Sequence, residues 1–102
     1  MRVVKPSRIR QYCLEYPDAE KPLLAWLAQA RRADWQDLAE VRRTYPHADA
    51  VRVHSGQQVT VFNIRGGHYR LIVSIKYRWS MVYVLRFLTH AEYDRNRWKD
   101  EL

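Results

Sequence analysis

The stretch Tyr69-Arg70-Leu71-Ile72-Val73-Ser74-Ile75-Lys76-Tyr77 decides the architecture. Its period is two: Tyr69, Leu71, Val73, Ile75 and Tyr77 face one way in an extended chain, and Arg70, Ile72, Ser74 and Lys76 face the other. β-Branched and aromatic residues dominate it, so a strand is expected. Ser80 to Leu88 repeats the pattern, with Met81, Tyr83, Leu85 and Phe87 on one side and Val82, Val84, Arg86 and Leu88 on the other. Upstream, Val59-Thr60-Val61-Phe62-Asn63-Ile64 is a third β-rich run, broken by the hairpin signal Gly66-Gly67. Val51 and Val53 alternate with Arg52 and His54 in a shorter one that turns at Ser55-Gly56. Four strands in succession with short turns predict an antiparallel meander.

Before Pro46 the spacing is helical. Ser7 is expected to cap a helix through Ile9, Tyr12, Cys13 and Tyr16 that Pro17 ends. Asp18 is expected to cap a second helix, with Leu23, Leu24, Leu27 and Ala30 on one stripe. Asp34 is expected to open a third, with Trp35, Leu38, Val41 and Tyr45 at helical spacing. After the strands, Thr89 caps a last helix containing His90, Tyr93, Asp94, Arg97 and Trp98. The whole reads as one α+β domain over residues 1–102, with N-terminal helices packed on an antiparallel sheet and a short C-terminal helix. The helices should cover the apolar face marked by Tyr69, Leu71, Val73, Met81, Leu85 and Phe87. The opposite face, with Arg70, Lys76 and Arg86, should stay partly open to water and ligand.

Composition narrows the function. Eighteen Lys and Arg against eleven Asp and Glu leave a net charge of +7, and the surplus lies mostly after residue 50. An anionic partner follows, nucleic acid first, then an acidic protein. No apolar run is long enough to cross a bilayer, and no membrane partner is expected. Residues Met1 to Lys5 lack the apolar stretch of an export signal, and Cys13 is the sole cysteine, so a cytoplasmic setting is expected.

Several chemistries are poorly served. His47, His54, His68 and His90 form no zinc-binding spacing, and neither a metal nor a cofactor is expected. Gly66-Gly67 lacks the following helix and lysine of a phosphate loop and reads as a turn. No strand-turn-helix elbow surrounds Ser74, and the central strands offer no carboxylate pair. There remains a basic cluster with a histidine and a tyrosine nearby. RNA is cleaved without metal when its own 2′-hydroxyl attacks the adjacent phosphorus, provided a site accepts and donates protons and stabilises phosphoryl charge. Arg70 and Lys76 are candidates for the charge stabilisation, His90 for acid or base, and Tyr93 for proton transfer or base stacking. Arg65, Arg78, Arg86 and Asp94 are further candidates for RNA contact. The plainer reading makes Arg70 and Lys76 solvated strand residues and Tyr93 a packing residue.

Three ordered motifs add to this: Val61-Phe62-Asn63-Ile64 with Gly66-Gly67, Tyr69-Arg70-Leu71-Ile72, and Phe87-Leu88-Thr89-His90-Ala91-Glu92-Tyr93-Asp94. Together they resemble the HigB family of toxins, within the RelE-like superfamily, over residues 45 to 95. The resemblance implies a type II toxin of a toxin–antitoxin system, an mRNA interferase that cleaves mRNA, usually in the ribosomal A site, and so inhibits translation. It also implies a helix-turn-helix, HigA-like antitoxin. It assigns Arg70 to the reacting phosphate and places His90 and Tyr93 where related toxins keep catalytic or RNA-stacking side chains. Lys76 and Arg86 rest on strand geometry alone. RelE relies on lysines and arginines, whereas this chain offers a histidine, so the acid and the base stay open. A non-catalytic regulator that binds nucleic acid or the ribosome is the alternative.

Overall fold

The structure, a computed structural model, describes residues 1–102. Five strands, β1 (Arg2–Val4), β2 (Asp49–Arg52), β3 (Gln58–Ile64), β4 (Tyr69–Lys76) and β5 (Met81–Thr89), form one sheet in the order β1-β5-β4-β3-β2. The last four make the expected antiparallel meander. β1 is an addition: it lies parallel to β5 at the edge, Val3 opposite Val82, and makes the sheet mixed. Three residues are too few for alternation to announce a strand.

Helices α1 (Pro6–Glu15), α2 (Glu20–Arg32) and α3 (Leu38–Thr44) precede the meander. Their starts differ from those expected. Pro6 opens α1 behind Lys5, which has a φ of 60° and gives no side-chain cap, so Ser7 is already inside the helix. A short 3-10 turn, Pro17–Ala19, precedes α2, and Asp18 is spent elsewhere. Asp37, not Asp34, caps α3 by accepting from the Glu40 backbone N–H at 2.9 Å. Trp35 therefore lies in the connecting loop, yet it is buried against Phe62.

The main core lies between these helices and one sheet face, and includes Ile9, Leu23, Trp26, Phe62, Leu71 and Val73. On β4 the alternation holds, with Leu71 and Val73 on the helix side and Ile72 on the other. On β5 it fails part-way. Ile72 pairs with Arg86 but Val73 pairs with Val84, so Leu85 is an extra residue in a β-bulge. The bulge shifts the phase: Val82, Val84 and Phe87 enter the helix-side core, while Leu85 joins the opposite face. Met81 and Leu85 are thus not on the helix-covered face. Arg8 of α1 satisfies the bulge, donating to the carbonyls of Val84 at 2.9 Å and Leu85 at 3.3 Å.

The second face is less open than expected. A smaller cluster of Val53, Val59, Val61, Ile72 and Trp98 covers its centre. Trp98 begins α5 (Trp98–Glu101), separated from α4 (His90–Asp94) by a break where Asn96 has a φ of 62°. The single expected C-terminal helix is therefore two, and the second folds back over the sheet. The His54 N–H donates to the Lys99 carbonyl at 2.9 Å and holds it there. What remains open are the two ends of the face.

Candidate nucleic-acid cleavage site

At one end of the sheet, Arg70 stands between Asn63 of β3 and Leu88 of β5. Its side chain turns back toward the β3–β4 turn, where Nη1 donates to the carbonyl of Gly67, and its guanidinium carbon lies 5.4 Å from the centroid of the Tyr93 ring. The turn is built for this approach. Gly67 has a φ of +92°, and a Cβ there would sit 3.5 Å from Arg70 Nη1. That is ordinary contact distance, so it is the left-handed backbone rather than crowding that favours glycine here.

The same turn is tied to the closing helix. The His90 N–H donates to the His68 carbonyl at 3.0 Å, which leaves a shallow groove lined by Gly66, Gly67, His68 and His90. Thr89 caps α4 in a reciprocal capping box with Glu92, at 3.2 and 2.9 Å. One turn along, Asp94 Oδ2 lies 2.8 Å from His90 Nδ1. The imidazole is 57% exposed, so a ligand in the groove can reach it. With the Nδ1–H donating to Asp94, a neutral His90 presents Nε2 as an acceptor.

Tyr93 is a fixed shelf. Its ring stacks on Trp98 at 5.2 Å and 19°, and Trp98 Nε1 donates to its backbone carbonyl at 3.0 Å. Burial is the main cause that holds the phenol above its ordinary pKa; nearby Asp49 adds to the rise and Arg70 opposes it. The hydroxyl therefore keeps its proton at neutral pH, and a ring already engaged by Arg70 and Trp98 suits positioning better than base stacking.

From the helix side, Asp18 fixes the turn. It accepts from the Tyr69 hydroxyl at 2.8 Å and pairs with Arg65 at 3.2 Å. A separate recess, on the C-terminal segment, is lined by Leu88, Glu92, Arg95, Arg97, Trp98 and Glu101. No three of the chain's His, Cys, Asp and Glu side chains gather as a metal-ligand set.

Arg70, His90, Tyr93, Asp94 and Arg65 thus surround or border the β3–β4 turn. Lys76 and Arg78 do not. Lys76 shares Arg70's strand face but lies six residues away, about 20 Å along an extended strand, and Arg78 follows it in the next turn, Tyr77–Trp79. Arg86 lies between the two ends, donating to the Leu85 carbonyl at 2.8 Å and facing Glu101 at 3.9 Å. His68, Gly67, Asp18 and Trp98 were not among the site candidates read from the sequence. Only Gly66-Gly67 carried a signal, and it indicated a turn without its neighbours.

Sheet, helices and groove define a small basic α+β domain of the RelE-like type. A family model described as HigB toxin, RelE-like toxic component of a toxin–antitoxin system, matches residues 19–96. The chain belongs to that family, and as such a component it has an antitoxin counterpart. The match reaches into the helical half, upstream of the motifs that first suggested it. No curated protein matches the chain significantly. No helix is long and apolar enough to cross a membrane.

Proposed function

We propose that this toxin is an endoribonuclease that cuts mRNA in the cytoplasm, on the ribosome, and thereby stops translation. The reaction is attack of a ribose 2′-oxygen on the adjacent phosphorus. The bond from phosphorus to the 5′-oxygen breaks, and the products are a 2′,3′-cyclic phosphate and a free 5′-hydroxyl. His90, through Nε2, takes the 2′-hydroxyl proton, and Asp94 steadies the imidazole on its other side. His68, on the same groove, supplies a proton to the leaving oxygen. Arg70 stabilises the charge that grows on the phosphoryl oxygens, the kind of contribution that dominates many enzyme sites. Tyr93 positions Arg70.

The observation that carries this reading is the convergence of a fixed guanidinium and two histidines on one turn. The net charge of +7, with Arg95 and Arg97 exposed after α4, favours a polyanionic ligand. Modest acid–base equipment suffices if the ribosome holds the RNA bent for in-line attack. A helix-turn-helix antitoxin of the HigA type is the proposed partner.

The test is end chemistry. Purified chain is mixed with mRNA held on ribosomes, and the fragments are examined for cyclic phosphate and 5′-hydroxyl termini. Their appearance supports the nuclease. An intact message on a blocked ribosome would favour the non-catalytic regulator instead.

A further inference from the structure

The far end of the sheet carries a second, different arrangement. Trp79, in the turn after β4, is 65% exposed, and the guanidinium carbon of Arg78 lies 5.1 Å from its ring centroid. Beside it, Lys76 pairs with Met81 across β4 and β5, and Met81 pairs with Arg2 across β5 and β1. Lys76 and Arg2 therefore share one row, two strands apart, roughly 10 Å. The chain's Lys and Arg ion pairs are Arg42–Asp49, Arg65–Asp18 and Arg86–Glu101. Arg2, Lys76 and Arg78 belong to none of them. Between Lys76 and Ala91 the sequence has no Asp or Glu.

We propose that this end is a binding site for single-stranded RNA, in which a base stacks on Trp79 while Arg2, Lys76 and Arg78 hold the flanking phosphates. The inference rests on the RNA-directed reading above and adds a contact remote from the Arg70 groove. A large exposed indole in water is unfavourable without a partner, and a nucleobase fits it whatever its sequence. Arg78 is the only cation–π or aromatic contact of this ring, so Trp79, unlike Tyr93 between Arg70 and Trp98, keeps surface free for stacking. An acidic peptide would use the three cations but leave the indole unused. A lipid surface would require apolar company for the indole. The other exposed large hydrophobics are Leu14 and Leu24, on α1 and α2, and the neighbours of Trp79 are Arg78 and Ser80.

The site also gives Lys76 and Arg78 a shared role that their distance from Arg70 denies them in the reaction. RNA anchored here would run across the sheet end, so that binding strength and bond cleavage would depend on different residues. Loss of the anchor should raise KM and leave kcat unchanged.

Tryptophan emission reads this site selectively, because Trp26, Trp35 and Trp98 are only 1%, 4% and 3% exposed. The probe is a short 2′-O-methylated oligoadenylate, which lacks the free hydroxyl needed for cleavage. Titration into the full chain should quench the exposed tryptophan. Read by the fluorescence anisotropy of a dye-labelled copy of the same oligonucleotide, which needs no tryptophan in the protein, Trp79→Ala should weaken binding about tenfold, as expected for loss of one stacked base, while Trp79→Phe retains most of it. Arg78→Ala should reduce the slope of log affinity against log salt by about 0.7. Circular dichroism shows that each variant is folded.

Unchanged affinity in Trp79→Ala would overturn the proposal. So would quenching by polyglutamate or by anionic phospholipid vesicles with none by the oligonucleotide. Because the probe cannot be cut, binding through Trp79 with no cleavage of natural mRNA would leave this site standing and remove the nuclease reading. Cleavage with no Trp79 contribution to binding or KM would do the reverse.

Discussion

Arg70 and Tyr93 are joined by a cation–π contact, the guanidinium carbon 5.4 Å from the ring centroid. One residue belongs to β4 and the other to α4, so the contact couples the phosphate-binding candidate to the segment that carries His90. The hydroxyl of Tyr93 plays no part in it. Tyr93→Phe should retain mRNA cleavage within about threefold, since the ring attraction persists. Tyr93→Ala should lose about 100-fold, the scale of a misplaced catalytic group. Single-turnover cleavage rates measure both. Equal loss in the two variants would mean that the phenol itself transfers a proton.

The two histidines make separable predictions. His68→Ala and His90→Ala should each slow cleavage by about 100-fold or more, the range of general acid–base catalysis. The parent should show a bell-shaped pH–rate profile, and each variant should lose one limb of it. Asp94→Asn keeps the size of the side chain but removes its charge, and it should slow the reaction less than loss of His90. An unchanged profile in His68→Ala would remove that residue from the chemistry.

Tyrosine burial sets an alkaline limit on stability. Tyr12, Tyr16, Tyr45, Tyr77 and Tyr93 are raised above 10.0 chiefly by burial, and Tyr69 chiefly by its hydrogen bond to Asp18. Above that pH an unfolded tyrosine loses its proton before the folded one, so the unfolded chain gains. Stability should be fully present below about pH 10 and fall as pH rises toward the folded values. Tyr45, raised by burial alone, is the clearest test. Urea unfolding of Tyr45→Phe should show a shallower decline than the parent between neutral and strongly alkaline pH.

Three substitutions near the site should separate anchoring from catalysis. Trp98→Ala removes the buried indole that supports Tyr93 and seats α5, and should cost about 3–5 kcal/mol. Thr89→Ala removes the capping box of α4 at about 1 kcal/mol. Asp18→Ala breaks an exposed pairing and should change stability by less than about 1 kcal/mol, yet reduce cleavage by loosening the turn that Arg70 contacts. Denaturant midpoints and cleavage rates on the same samples test the contrast.

The fold could be read where the chain repeats itself. Alternation over Tyr69 to Lys76 gave β4 its two faces, and the run of four strands gave the meander. Alternation cannot announce a bulge, because the extra residue at Leu85 is specified by pairing with β4 and by Arg8, which is 77 positions away. Helix starts were displaced for a related reason. Asp18 and Asp34 are good capping residues, but Asp18 is claimed by Tyr69 and Arg65 and Asp34 by Gln36.

The candidate site was half visible. Arg70 and His90 stood out by residue type and motif, and they border the same turn. His68 did not, because nothing local links a turn residue to a helix start more than twenty positions on; the link is the backbone hydrogen bond from His90. Lys76 was grouped with Arg70 through a shared strand face, which says nothing of separation along the strand. Trp98 read as part of a continuous helix, whereas the break at Asn96 turns it onto the sheet.

The most direct measurement compares the parent with Arg70→Ala, each induced in cells, by mapping the ends of a translated transcript. The parent should leave new ends within the coding region, and Arg70→Ala should reduce them by about 100- to 1000-fold, the range for loss of one transition-state donor. Undiminished cutting by folded Arg70→Ala, or an intact transcript in cells whose growth the parent has stopped, would contradict the account.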